Sequence, residues 1–319
     1  MTPRVTVIMR SKDADWVIGD ALRSLFMQRY RDFELDIVDS GSTDKTLDII
    51  SEFPARLFHI KAEDYYPGPV LNDAAERARG QILVFQNSDS VLQSEHALLR
   101  LVEAFDDPAV QAAFGRQVPR PEAEPWVRRE YHESFPAHGA APPWITLSMP
   151  LAAMRRSAWS ERPFYDLAWA SEDSEWGHFA RRHGWCVRYV PEAVTMHSHN
   201  YTLRQLYGRQ FVEGEADAFI FTERVSALRC IANGVGQSLR DVPWYLRSRD
   251  IAGLLSVPIR RSVHQFAYWR GRRLGERRLT TGDRDTSLGQ RAVLSRYHAR
   301  RSRRTDPASD RDSDDKTRA

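Results

Sequence analysis

The residues in this chain best suited to chemistry are carboxylates and imidazoles at the ends of predicted elements. Glu172 and Asp173 are adjacent, within the run from Trp169 to Trp176, just before an apparent helix. Such a pair suits a general base held in a dry pocket, and it equally suits an N-terminal helix cap. Asp39 follows an apolar stretch and precedes Gly41, where a carboxylate can accept hydrogen bonds from a pyrimidine ring or a ribose, or can start a turn. Asp89, in Asn87-Ser-Asp89, can hold Mg²⁺ or Mn²⁺ bridging diphosphate oxygens, or can belong to an Asx turn. His197 and His199 can complete a metal site, or can be hydrogen-bonded structural histidines.

The elements that must position these groups alternate. β-branched and apolar runs at Val5–Met9, Glu34–Asp39, Leu57–Ile60 and Ile82–Phe85 read as strands. Helical spacing follows at Trp16–Phe26, after Asp44, and at Val70–Ala78, where Gly80 is the expected stop. Repeated βα units with short links predict an α/β fold, a Rossmann-like mostly parallel sheet flanked by helices. Ligands of such sheets lie beyond the carboxyl ends of the strands. Arg10-Ser-Lys12, Asp39 to Thr43 and Gln86 to Ser90 fall at three of those ends. Pro119 to Pro143 reads as irregular with one short helix at Trp126–Tyr131, Ser148–Trp159 as ordered, and Val187–Val190 as a short strand. Helix predominates from Tyr201, and a mixed-charge, apolar-poor tail is expected to be disordered.

In order, Val38-Asp-Ser-Gly-Ser-Thr-Asp44, Leu71-Asn72, Val84-Phe-Gln-Asn-Ser-Asp89, Ser171-Glu-Asp173 and His197 resemble the motifs of family-2 glycosyltransferases of the GT-A fold. The resemblance covers roughly residues 3–215. Asp39-Ser40 and His197-Ser-His-Asn-Tyr-Thr202 look most like the bacterial rhamnosyltransferase-like branch, which builds cell-surface polysaccharides. It implies Asp173 as the catalytic base, with Glu172 and Trp176 orienting the acceptor. Asp39, Arg10, Ser40 and Asn87 would bind the nucleotide. Asp89 and His197, with His199 as the alternative, would hold Mn²⁺ or Mg²⁺. Asn87 departs from the family's first acid and brings no charge. Arg155 and Arg209 are candidates for the diphosphate. Trp169, Trp176 and Trp185 could offer a sugar platform, although core packing is favoured for Trp185. The expected reaction is inverting transfer of a sugar, rhamnose in this branch, from a dTDP- or UDP-linked donor to a surface-polysaccharide or lipid-linked glycan.

The implied division is a GT-A domain over 1–220, with a nucleotide-sugar half to about 118 and an acceptor half from 119. A basic helical extension over 221–280 and a tail over 281–319 follow. The chain has 319 residues, 42% of them hydrophobic, and a formal charge of +3, unevenly spread because its last third is rich in arginine. Aromatic and arginine residues over 243–278 suit an anionic membrane surface, and no nucleic acid is expected because no recognition motif accompanies the charge. Two cysteines give no disulfide framework, and Val5–Met9 is too short for an export signal, so a cytoplasmic protein, peripheral at the inner face of the membrane, is expected. Rival readings are a nucleotidyltransferase, disfavoured because Arg10 to Asp15 has no glycine, and a silent glycan-binding scaffold, which Asn87 alone supports.

Overall fold

The computed structural model describes residues 3–166, 170–221 and 223–281. Trp169, one residue of the expected sugar platform, and residues 282–319, nearly all of the expected tail, lie outside them. The chain runs β1 (Val5–Ser11), α1 (Ile18–Phe26), β2 (Phe33–Asp39), α2 (Thr46–Ser51), β3 (Arg56–His59), α3 (Pro67–Arg77), β4 (Ile82–Gln86) and β5 (Val91–Leu92). It continues through α4 (Ala97–Glu103), β6 (Val110–Val118), α5 (Pro125–Ser134), β7 (Leu151–Arg155), α6 (Arg156–Glu161), α7 (Glu172–Arg182) and β8 (Cys186–Met196). Three helices close it: α8 (Leu203–Ile220), α9 (Ala227–Ser248) and α10 (Ile251–Thr281).

The chain divides into two compact units, Met1–Asn200 with Val235–Pro258, and Tyr201–Gly234 with Ile259–Ala319. In the first, the sheet order is β3-β2-β1-β4-β7-β6-β8-β5. β3, β2, β1 and β4 are mutually parallel, as the βα pattern requires. β7 runs antiparallel to both β4 and β6, and β6 is parallel to β8. Both sheet faces are covered. Val5, Val7 and Met9 of β1 share one core with Ile18 and Leu22 of α1 and Leu98 and Leu101 of α4. Ile8, one residue out of phase, joins the opposite core with Val70 and Ala74 of α3 and Trp176 of α7. The two-residue period of a strand produces this division.

Gly80 does not end α3 in a left-handed cap. The helix stops at Ala78, whose backbone is already extended. A Cβ on Gly80 would lie 2.4 Å from the backbone nitrogen of Thr6, so the glycine is required where the chain passes against β1 on its way into β4. β6 and β7 were not expected as separate strands, and β8 is longer than the stretch read from the sequence. In β6, Ala112 and Ala113 are both fully buried. A strand covered on both sides and carrying alanines shows neither alternation nor β-branched enrichment.

In the second unit, Arg272 donates to the Asp217 carbonyl at 2.5 Å, Arg278 pairs with Glu215, and Tyr268 donates to Asp217 at 2.8 Å. Arg261, Arg272 and Arg278 are buried. Arg272 and Arg278, read from the sequence as part of a basic surface, fasten helices instead.

Candidate functional site

Asp39 ends β2 and is fully buried. Its Oδ1 accepts from the backbone N–H groups of Gly41 and Ser42, at 3.0 and 2.8 Å, and its Oδ2 accepts from the Ser42 hydroxyl. The turn reading of Asp39 is therefore realised, with Gly41 at φ +80° closing the turn. Ser40 is buried and bonds the Ser11 carbonyl through both its N–H and its hydroxyl, at 3.0 and 3.2 Å. It ties the end of β2 to the end of β1. Asn87 is half-buried, and its carbonyl accepts from Ser90 at 3.0 Å in the turn after β4.

That turn delivers Asp89 to the two histidines after β8. His199 Nε2 lies 3.0 Å from Asp89 Oδ2, and His197 Nε2 lies 3.6 Å from Oδ1. One ligand atom from each of the three falls within 4.8 Å of the others. Donors in adjacent corners of an octahedron at bond lengths of about 2.1 Å are about 3 Å apart, the spacing of the Asp89–His199 pair, and the trio is a group that could hold a divalent cation. A carboxylate with two imidazoles suits Mn²⁺ and related ions. Both histidines take part in the cluster; the sequence reading had offered them as alternatives.

The outer surroundings of the cluster were not foreseen. Gln117 Oε1 lies 3.0 Å from His197 Nδ1, while Gln117 Nε2 donates to Ser148 at 2.6 Å. An acceptor at Nδ1 keeps a proton there and leaves Nε2 as the ring atom turned to Asp89. The Tyr131 hydroxyl lies 3.3 Å from the same Nδ1. Arg120 donates to the Asp89 carbonyl at 2.5 Å, and its own N–H donates to Ser198 at 2.9 Å. Burial alone would raise the Asp89 carboxyl; the charges of His197, His199 and Arg120 outweigh it and hold the group well below the usual carboxylate range. Gln117 sits on the unforeseen β6, and Arg120 sits between two prolines in a segment read as irregular, so neither carried a sequence signal.

Glu172 and Asp173 open α7, as expected, but the two carboxylates point to different partners. The entry is sharp, because Ser171 adopts the left-handed region at φ 62°, a conformation that costs a non-glycine residue about 1–3 kcal/mol. Glu172 is buried and pairs with Arg10 of β1 at 2.7 Å. Arg10 also donates to the Tyr65 hydroxyl at 3.2 Å. The expected nucleotide contact Arg10 is thus held by the expected acceptor-orienting residue Glu172.

Asp173 is half-buried, and its two oxygens accept from the backbone N–H groups of Met149, at 3.1 Å, and Ser174, at 2.7 Å. Burial raises its carboxyl to about 6, and repulsion from Glu172 adds to the rise; the two N–H groups and Arg10 oppose it. A carboxyl at that value is ionised at neutral pH yet basic enough to accept a proton. Gly177 holds the helix in place. A Cβ there would lie 2.8 Å from the Thr146 backbone carbon, which sits in the segment that supplies the Met149 N–H. Ser148, next to Met149, is the partner of Gln117, so Asp173 and the Asp89 cluster are linked by a short run of contacts.

Two expected contacts do not reach this edge. Arg155 pairs in register with Ile82, at the start of β4, whereas Leu151 pairs with Gln86 at its end. Because β7 is antiparallel, Arg155 falls at the opposite end of the sheet from Asp89. There it donates to the carbonyls of Phe105, Asp107 and Val110. Trp176 is fully buried, with its indole N–H on the Arg162 carbonyl at 2.8 Å and its ring against Trp185 at 5.7 Å, so it cannot touch an acceptor. Trp185 is half-buried in the same core, in keeping with the packing role favoured for it. Arg209 is exposed on α8, in the second unit, 3.8 Å from Glu213. Asn72, part of the recognised pattern, is occupied in bonds to the Phe164 backbone and Trp159.

Glu172→Gln is expected to lower stability by about 3 kcal/mol, because Arg10 keeps its charge and loses its buried partner. The same change removes the repulsion on Asp173. The acid limb of the rate profile should move below pH 6. Thermal melts and kcat/KM against pH test both; an unmoved limb sinks the proposed coupling.

Comparison with known proteins supplies the family. Residues 6–164 match the profile of glycosyl transferase family 2. The match stops before Glu172, so the family does not by itself assign Asp173 or the histidines. The O-antigen chain rhamnosyltransferase RfbN of Salmonella typhimurium is 28% identical over 224 residues, 66% of this chain and 71% of that protein. The O-antigen chain rhamnosyltransferase WbaN of Salmonella anatum is 28% identical over 193 residues, 57% of this chain and 61% of its own length. Among solved structures, the Pyrobaculum calidifontis mannosyltransferase PcManGT, in complex with GDP-Man and Mn²⁺, superposes with a TM-score of 0.54 at 18% identity, covering 94% of this chain and 80% of that one. Glucosyl-3-phosphoglycerate synthase of Mycobacterium tuberculosis, in complex with Mn²⁺, UDP-glucose and phosphoglyceric acid, gives 0.51 at 19% identity, covering 69% and 79%. With a mixed, mostly parallel sheet sandwiched by helices and acidic residues at its strand ends, the chain belongs to glycosyl transferase family 2 and is a glycosyltransferase of the GT-A fold.

Proposed function

We propose that this enzyme transfers rhamnose, with inversion, from a dTDP- or UDP-linked donor to a surface-polysaccharide or lipid-linked glycan. The observation that carries the mechanism is the Asp173 carboxylate, held by two backbone N–H groups and linked through Ser148 and Gln117 to the Asp89–His197–His199 cluster. Rhamnose as the sugar and a surface glycan as the acceptor rest on the similarity to the two O-antigen chain rhamnosyltransferases.

Asp173 takes the proton of the acceptor hydroxyl as that oxygen attacks C1 of the donor sugar and the C1–O bond to the nucleoside diphosphate breaks, the diphosphate leaving with the electron pair. A single displacement needs no enzyme nucleophile and inverts the anomeric centre. Asp89, His197 and His199 would hold Mn²⁺ or Mg²⁺, which when bound supplies positive charge to the diphosphate. Arg120 places a further positive charge beside Asp89. Asn87 brings no charge at the position where the family pattern has an acid, so the cluster depends on its histidines. Asp39 is proposed to exchange its turn hydrogen bonds for the nucleotide, beside Ser40 and Asn87. Arg10 positions Glu172, and through it Asp173, rather than binding phosphate.

Incubation with a panel of nucleotide sugars and Mn²⁺ tests this reading. Donor present at 100 times its Kd should stabilise the protein by about 2.7 kcal/mol. The dTDP- and UDP-linked donors should raise the melting temperature, with dTDP-rhamnose alone supporting transfer to a lipid-linked acceptor. Stabilisation by no nucleotide sugar sinks the reading, and transfer of a different sugar corrects the donor.

A further inference from the structure

The C-terminal half of α9 presents two contrasting faces. Asp241 and Tyr245 are turned inward and buried, Asp241 against the buried Arg129 at 2.7 Å. The outward stripe carries Val235, Leu239 and Leu246, exposed by 58, 68 and 54%. Their spacing of four and seven places them on one helical face, and beyond the break at Arg249 the first turns of α10 add Ile251 and Leu255, 57 and 75% exposed. A helix packed on a domain normally buries such residues, and here they are more than half exposed. Arg240 and Arg247 flank the stripe seven residues apart, and neither has an ion pair among the described residues. Between Val235 and Arg249 the sole acid is the inward Asp241. Leu228 and Ile231, in the first turns of α9, are 79 and 63% exposed within the second unit.

From this face we propose that the outward side of Val235–Leu255 docks on an anionic lipid bilayer, lying in the headgroup plane. An apolar stripe bordered by unpaired arginines matches hydrocarbon beneath negatively charged headgroups. Among the described residues no helix is long and apolar enough to cross a membrane, so the segment rests on the surface. A second copy of the chain fits less well, because an antiparallel two-fold contact would bring the arginine rows of both copies together. The surface differs from the one expected from the sequence at 243–278. It starts earlier, and two of the aromatics there point elsewhere: Tyr245 is buried and Trp244 packs 5.6 Å from the His132 ring. The inference rests on the helix face alone and stands whichever sugar is transferred.

Sedimentation of the full chain with phosphatidylcholine vesicles, and with phosphatidylcholine–phosphatidylglycerol vesicles, tests it. The wild type should bind the anionic vesicles strongly and the neutral ones weakly. Each arginine near the surface contributes roughly fivefold, so Arg240→Gln with Arg247→Gln should reduce partition to anionic vesicles roughly 30-fold. Leu239→Glu with Leu246→Glu should remove binding to both. The positions are exposed, and an unchanged melting temperature confirms folding; Leu239→Ser with Leu246→Ser serves should the glutamates unfold the helix. Donor-induced stabilisation should stay at its wild-type value in every variant, which separates loss of docking from loss of the nucleotide site. Equal binding to the two vesicle types, variants that bind like the wild type, or a wild-type dimer split by the leucine substitutions would each overturn the proposal.

Discussion

Asp173→Asn lowers kcat by about 10²–10⁴-fold while leaving donor affinity near its wild-type value, the range expected for losing a general base. The asparagine keeps the shape of the side chain and an acceptor oxygen for one of the Met149 and Ser174 N–H groups, but it cannot take a proton. The wild-type profile should show the same group. Below about pH 6 Asp173 is protonated and kcat/KM falls tenfold per unit; above it the profile is flat from this group. Stability runs the other way. A carboxyl raised from about 3.9 in the unfolded chain to about 6 in the fold binds more protons when folded, so its contribution weakens as pH rises through that window. The variant lacks this charge and should keep its melting temperature at pH 8. Measuring turnover, donor-induced stabilisation and melting on one preparation decides the matter; turnover at the wild-type rate removes Asp173 from the mechanism.

The second large effect belongs to Asp89. Asp89→Ala should reduce kcat by about 10²–10³-fold, as losing one preorganised charge-stabilising group does. The variant should also lose its response to Mn²⁺. At 100 times its Kd, Mn²⁺ stabilises the wild type by about 2.7 kcal/mol. The variant, reduced to His197 and His199, should show little of this. Chelation should abolish wild-type transfer, and added Mn²⁺ should restore it. Full activity in chelator, together with a Mn²⁺-insensitive melting curve, would dismiss the cluster as a metal site and leave it a carboxylate–imidazole network.

The two experiments probe opposite ends of one connected arrangement, and the sequence revealed those ends unequally. Asp39, Asp89 and Asp173 could be singled out because each is an acid at the edge of a regular element, where a parallel sheet collects its ligands. Glu172 was read as a cap or an acceptor contact, yet its partner Arg10 lies 162 positions away along the chain, and no local pattern records that distance. Arg155 was misplaced for a related reason. Its strand is antiparallel, and direction is set by which neighbour a strand pairs with. Trp176 was offered as a sugar platform, but exposure of an aromatic side chain is decided by what packs on it.

Residue types and their order thus determined the fold class, the family and the three principal acids, because strand period, helix spacing and strand-end chemistry are local properties. Tertiary structure alone decided the rest. It brought His197 and His199 together at Asp89, set Gln117 behind the imidazole, and separated Glu172 from Asp173 into a buried ion pair and a raised carboxyl. Those outcomes depend on pairing between segments far apart in the chain and on the desolvation that pairing causes, and neither is written in any short stretch of residues.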